Sequence, residues 1–108
     1  MMLKVDKFLQ MIGLARKAGY VVLGEEGCIK AIKRNKAKLC IIADDASGNT
    51  KKRITDKCKN KGIEYLFYGT KESIGNCLGK KIVAVVSIKN EGFALQIKLL
   101  YKKSKSFT

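Results

Sequence analysis

The stretch Leu23-Gly24-Glu25-Glu26-Gly27-Cys28-Ile29-Lys30-Ala31-Ile32-Lys33-Arg34 places two adjacent carboxylates at the start of a basic helix, in a chain with 23 Lys+Arg against 9 Asp+Glu. Helical spacing makes Lys30 and Arg34 neighbours on one face, along which Glu26 also projects, with Lys33 beside them. Two chemistries fit. Carboxylates at a helix N-terminus interact favourably with its dipole by ~0.3–1 kcal/mol, and a Glu26–Lys30 pair adds ~0.2–0.5 kcal/mol. The same helix end can also face RNA, where backbone N–H groups and Lys30 attract a phosphate or a guanine O6 and a carboxylate accepts from guanine N1 and N2 hydrogens. The readings are compatible: the dipole explains why the glutamates are tolerated, and RNA explains why they are placed there.

Catalysis is poorly supplied. The chain has no histidine, so the usual general base and metal ligand are missing, and no Ser or Cys sits in a recognisable nucleophile turn. Asp44-Asp45 could bind Mg²⁺, but adjacent acids in a loop before a helix more often cap it or stay solvated. Gly24-x-x-Gly27 at a strand-to-helix junction has neither the full dinucleotide spacing nor the Gly-Lys-Ser/Thr of a P-loop. Cys28, Cys40, Cys58 and Cys77 contain no C-x-x-C pair and read as small buried or half-buried residues, without a disulfide framework or zinc site. The expectation is a protein that is not an enzyme and needs no cofactor or metal.

These side chains must be positioned by a single domain, because 108 residues hold one core. Hydrophobic residues make up 46% of the chain and recur in blocks, as in a packed globule. A net charge of +14 is then carried on a folded surface, the footprint of a protein that meets polyanions, most often nucleic acid. An anionic membrane surface is the other candidate, although no segment approaches the ~20 apolar residues of a spanning helix. The N-terminus lacks the apolar core of a signal peptide, which points to the cytosol.

The elements alternate. Val5, Phe8, Leu9, Ile12 and Ala15 fall at helical spacing up to a stop at Gly19. Tyr20 to Leu23 is a short strand, and a second helix runs from there to about Asn35. Ala37 to Ala43 reads as a central strand buried on both faces. After the polar turn Asp44–Asn49 come a helix over about Thr50 to Asn60, stopped by Gly62, and a strand from Ile63 to Tyr68. Thr70 caps a short helix ending near Gly79, without a strict capping box with Ser73. Lys81 to Lys89 is the strongest strand pattern, and the last helix starts at Asn90 or Glu91 with Phe93, Ala94, Ile97, Leu100 and Tyr101 on one side. This order predicts an α/β fold: a single-domain three-layer α/β/α sandwich with a four-stranded mixed sheet over residues 1–103, followed by a basic, flexible tail over 104–108.

The runs "GLARKAGYVVLGEEGCIKAIKRNKAKLCIIADDAS" (Gly13 to Ser47), "NTKKRITDKCKNKGIEYLFYGTKESIGNCLGK" (Asn49 to Lys80) and "VVSIKNEGFALQI" (Val85 to Ile97) resemble the L7Ae/L30e family of kink-turn-binding ribosomal proteins, in its bacterial YlxQ-type branch. The resemblance covers nearly the whole chain. It implies binding to kink-turn RNA, a sharply bent helix in which two sheared G·A pairs follow a three-nucleotide bulge. The family's contact motif is a Gly followed by Asn-Glu and then a Lys three positions after the Glu. Gly24 and Lys30 match it, and Arg34 matches a basic position one turn later. Glu26 stands at the Asn position and Gly27 at the Glu position, so neither guanine-reading side chain is kept; a Glu26 carboxylate shifted beside Gly27 would have to fill that role.

A second family contact, an apolar loop before the last strand, matches Gly79-Lys80-Lys81-Ile82-Val83. Lys80 and Lys81 then contact phosphate, and Ile82 or Val83 packs on the extruded bulge base or belongs to the core strand. Together, Gly24, Glu25, Glu26, Gly27, Lys30, Lys33, Arg34, Lys17, Lys36, Lys80, Lys81, Ile82 and Val83 make the expected RNA-binding set. Lys51, Lys52 and Arg53 form a solvated flank or a second phosphate contact. The expected partner is structured RNA, a kink-turn or ribosomal RNA, with the ribosome behind it and no membrane, for a protein acting as a monomer. The alternative is a protein-interaction or ribosome-assembly module that keeps the fold without kink-turn specificity.

Overall fold

The computed structural model describes residues 6–105, so Val5 and the last part of the expected tail lie outside the described residues. The element order is α1 (Lys7–Lys17), β1 (Val21–Leu23), α2 (Glu25–Lys33), β2 (Leu39–Ile42), α3 (Gly48–Lys61), β3 (Glu64–Phe67), α4 (Lys71–Cys77), β4 (Val85–Ile88) and α5 (Glu91–Lys105). The final helix therefore continues through Ser104 and Lys105, the first residues of that tail.

The four strands form one mixed sheet in the order β1-β4-β2-β3, with β4 antiparallel to both neighbours and β2 parallel to β3. Every residue of β2 and β4 is buried, because these central strands are covered on both faces. Helices α2 and α3 pack on each other over one face, and α1 packs with α4 and α5 over the other. Alternation along β2 sends Cys40 and Ile42 toward α2 and α3 and Leu39 and Ile41 toward the opposite layer. Ile12, Ile32, Ile54, Ile74 and Ile97 fill the space between the layers with no exposure, each contributing about 1.5–3 kcal/mol of burial.

Helix starts are fixed by local hydrogen bonds. Asp6 Oδ1 accepts from Leu9 N–H at 3.0 Å, Ser47 Oγ from Thr50 N–H at 3.1 Å and Asn90 Oδ1 from Phe93 N–H at 2.9 Å. Thr70 and Ser73 correct the sequence expectation, since each hydroxyl accepts from the other residue's N–H at 2.9 Å and the capping box is complete. A serine hydroxyl supplies the return acceptor that the sequence rule looks for in Glu or Gln.

The strand expected over Lys81 to Lys89 is also corrected, because β4 starts only at Val85. Residues 79–83 instead double back along α4, with Lys80 N–H donating to the Gly75 carbonyl at 2.8 Å and Val83 N–H to the Lys71 carbonyl at 2.9 Å. Those bonds commit the backbone to the helix, so apolar content at Ile82 and Val83 does not extend the ladder. Gly75 makes the approach possible: a Cβ there would meet the Lys80 and Lys81 carbonyl oxygens at 2.9 and 2.8 Å.

Candidate nucleic-acid interface

Helix α2 opens on Gly24, whose φ of 85° and ψ of 162° suit glycine because a side chain is strained at positive φ. No side chain caps this end, which leaves first-turn N–H groups and the positive end of the dipole available. The Gly24 N–H donates to the Val85 carbonyl at 3.0 Å. That bond fastens the start of α2 to the first residue of β4, the strand fed by loop 79–84.

The two glutamates face α3. Glu25 accepts from the Thr50 hydroxyl at 2.7 Å and from Arg53 Nη1, and the same Nη1 donates to Glu26 Oε2 at 3.0 Å. Thr50, and then Arg53, hold the Glu25 carboxyl below its ordinary value against the opposing effect of burial. The two glutamates in turn raise the Arg53 guanidinium. Sequence spacing paired Glu26 with Lys30; the structure pairs it with Arg53 instead, since a planar guanidinium nitrogen can serve two carboxylates at once. Lys30 is left exposed on the outer face of α2.

Sequence reasoning places Arg53 on a solvated flank or a second phosphate contact and misses its pairing with the two glutamates. The signal for that pairing was the three-residue step from Thr50 to Arg53 on a helix beside α2, which becomes visible only once the two helices are known to pack. Its neighbours are engaged too: Lys51 Nζ lies 5.8 Å from the Phe67 ring centroid, and Lys52 pairs with Asp56 at 3.1 Å.

Gly27 is pressed against β1, where a Cβ would come within 2.9 Å of Val22 Cγ1. A side chain at position 27 therefore has to displace a β-branched neighbour. In the loop, Ile82 is 63% exposed and Val83 only 7%, which separates the two candidates: Val83 is core and Ile82 projects into solvent. Lys80 and Lys81 are exposed beside it.

The remaining lysines are not gathered here. β1 runs from Val21 to Leu23 against Ile88 to Val86, so Gly24 and Val85 share one end of the sheet and Tyr20 and Lys89 the other. Lys17 precedes Tyr20, and Lys36 precedes β2 at that far end, where Lys38 N–H donates to the Ile88 carbonyl at 2.7 Å. Arg34 ends α2 on the same side, and Lys33 lies one residue before it. A basic stripe along α2 connects the two ends, but Lys17 and Lys36 do not share a compact patch with the Gly24 end. The far end also holds a groove of about 640 Å³ with Lys38, Lys61, Glu64, Glu91, Leu95 and Lys98 in its walls.

Other candidates have structural uses. Asp45 Oδ1 accepts from Lys71 N–H at 2.8 Å, anchoring the start of α4. Cys28, Cys40 and Cys58 are buried free thiols and Cys77 is half-buried. Cys40 and Ser87 lie 3.2 Å apart, and burial pushes Cys28 up to about 12. Among the described residues, no three His, Cys, Asp or Glu side chains could hold a metal ion, and no helix is long and apolar enough to cross a membrane.

Residues 6–98 match the ribosomal protein L7Ae/L30e/S12e/Gadd45 family. The chain belongs to that family. Among its L7Ae-family relatives, the RNA-binding protein YlxQ of Bacillus subtilis (strain 168) is 38% identical over 88 residues, 82% of this chain and 88% of that one. The RNA-binding protein YlxQ of Enterococcus faecium is 37% identical over 97 residues, 88% of this chain and 91% of its own. These matches agree with the resemblance to the YlxQ-type branch. The large ribosomal subunit protein eL8 of Cenarchaeum symbiosum (strain A) is 30% identical over 94 residues, 86% of this chain and 75% of that one.

Among solved structures, a protein with unknown function from Bacillus halodurans C superposes with a TM-score of 0.86 at 32% identity, over 89% of this chain and 97% of that one. The Giardia lamblia 15.5kD RNA binding protein shares the fold, with a TM-score of 0.76 at 22% identity over 100% of this chain and 96% of that one.

Proposed function

We propose that this L7Ae-family protein is a non-catalytic RNA-binding protein of the cytosol, acting on the ribosome or another structured RNA, and that the Gly24 end of its sheet reads a kink-turn. The observation that carries this reading is the Gly24 N–H···O=C Val85 bond. It sets an uncapped helix N-terminus beside the loop that presents Lys80, Lys81 and the exposed Ile82. A helix N-terminus and Lys30 suit phosphate or a guanine O6, the two loop lysines suit phosphate, and Ile82 offers an apolar surface to a base splayed from its stack, the mode by which proteins read irregular RNA. The net charge of +14 supplies sequence-independent attraction, and its contribution falls steeply with salt.

The pairing of Arg53 with Glu25 and with one oxygen of Glu26 favours a second reading, a ribosome-assembly or protein-interaction module on the same fold, because it takes up Glu25 and leaves only the second Glu26 oxygen to meet a guanine. The experiment that separates the readings titrates a kink-turn RNA and the same RNA with both G·A pairs converted to Watson–Crick pairs, at two salt concentrations. Kink-turn reading predicts a large preference for the intact RNA that survives at the higher salt. Equal, steeply salt-dependent affinities would replace it with general polyanion binding, and absence of binding to either RNA would favour the assembly module.

A further inference from the structure

Two carboxylates on a surface meant for a polyanion are a liability unless something neutralises and orients them. Arg53 Nη1 donates to both Glu25 and Glu26, so a single nitrogen serves the pair. Arginine carries five N–H donors, and among the described residues Nε and Nη2 of Arg53 donate to no protein acceptor. Glu25 uses both its oxygens, Oε1 on Thr50 and Oε2 on Arg53, and its side chain is 25% exposed. Glu26 uses only Oε2, and its side chain is 76% exposed. The outcome is a carboxylate oxygen, Glu26 Oε1, held open beside unspent guanidinium donors at the start of α2.

Resting on the reading of this end as an RNA face, we propose that Arg53 is the positioning residue that sets its specificity, fixing Glu26 to accept from a guanine edge while its own remaining N–H groups bind the neighbouring phosphate. Position 27 cannot take over the reading without moving Val22, given the 2.9 Å approach of a Cβ to that side chain, so the acceptor is supplied from position 26 and steadied from a different helix. The arrangement also rejects. A phosphate approaching Glu26 without a base donor meets an open carboxylate oxygen, whereas a guanine offers N1 and N2 hydrogens to it. Specificity thus comes from a repulsive element as well as an attractive one. Thr50 contributes by tying Glu25, which keeps Arg53 centred between the two carboxylates.

The test measures affinity for a kink-turn RNA and for its Watson–Crick counterpart with the native chain and with Arg53→Gln, Arg53→Lys and Lys59→Gln variants. Lys59 is exposed near the far end of α3 and serves as the charge control. Arg53→Gln is expected to weaken binding to the intact kink-turn about tenfold and to the counterpart no more than about threefold, so that the preference ratio falls. Arg53→Lys keeps the charge but loses the planar fork and should recover only part of the ratio. Lys59→Gln should weaken both RNAs equally. If the native protein prefers the kink-turn and Arg53→Gln lowers both affinities by the same factor, or leaves the ratio intact, Arg53 is a simple charge and the proposal is overturned alone. If the native protein shows no preference, the kink-turn reading fails and the proposal with it. Thermal unfolding of each variant guards against a folding defect, and Arg53→Lys decides the matter should Arg53→Gln fail to fold.

Discussion

Replacing Gly75 with alanine should destabilise the protein, although alanine is the better helix former by ~1 kcal/mol. The added Cβ would sit 2.8 Å from the Lys81 carbonyl oxygen and 2.9 Å from both the Lys80 oxygen and the Lys81 carbonyl carbon. All three are backbone atoms, so no side chain can swing aside and the loop itself has to lift from α4. Overpacking of this kind costs about 1–3 kcal/mol. With three simultaneous contacts the cost falls in the upper part of that range, and subtracting the propensity gain leaves about 1–2 kcal/mol. For a domain of this size that lowers Tm by roughly 5–15 °C. Gly48 is the matched control, since it opens α3 with no atom within 4 Å of an added Cβ, and Gly48→Ala should be neutral or stabilise by up to ~1 kcal/mol. Thermal unfolding followed by circular dichroism reads both. A Gly75→Ala protein as stable as the native one would show that the loop does not need this close approach and would remove the argument that it is held in place.

Lys30→Ala should weaken RNA binding and flatten the dependence of log K on log salt by about one unit if Lys30 neutralises a phosphate; an unchanged slope in a salt titration removes it from the contact set. Val83→Ala should cost roughly 1–3 kcal/mol of stability by opening a core space. Ile82→Ala should change stability by less than ~0.5 kcal/mol and RNA affinity roughly fivefold, from ~1 kcal/mol of apolar contact; the reverse pattern in denaturant melts and binding curves would mean that the two side chains have been misassigned. Burial, then the hydrogen bond to Asp6, pushes Tyr68 from its ordinary 10.0 up to about 12, and burial pushes Cys28 from 9.0 up to about 12. In each case the unfolded chain gives up its proton first, so the stability is fully present below about pH 9 and is lost as pH rises toward 12. Denaturation midpoints at pH 8 and pH 11 should therefore differ, and equal midpoints would contradict the assignment.

Much of the fold was legible because its signals are local. The uninterrupted run Leu39-Cys40-Ile41-Ile42 announced a strand covered on both faces, and Phe8, Ile12 and Ala15 announced the buried side of α1. The start of β4 was not legible, because Ile82 and Val83 have strand-like side chains and only the backbone bonds to α4 take them out of the sheet. The Thr70–Ser73 capping box was missed for a related reason: a short hydroxyl closes a ring normally closed by a longer side chain. At the candidate site, Gly24 and Lys30 could be placed from motif spacing alone. Arg53 could not, since its pairing with residues 27 and 28 positions away exists only after α2 and α3 pack side by side. Lys17 and Lys36 were drawn in by charge alone, and strand direction sends them to the other end of the sheet.

The most direct measurement of the central claim is a ¹H–¹⁵N correlation titration of the protein with a kink-turn RNA, read residue by residue. Shift changes are expected to concentrate at Gly24 to Lys30, Arg53 and Lys80 to Ala84, with Lys17, Lys36 and the groove residues Lys61, Glu64 and Leu95 little changed. Changes centred on that far-end groove, or spread evenly over every lysine-bearing surface, would contradict an RNA face built at the Gly24 end.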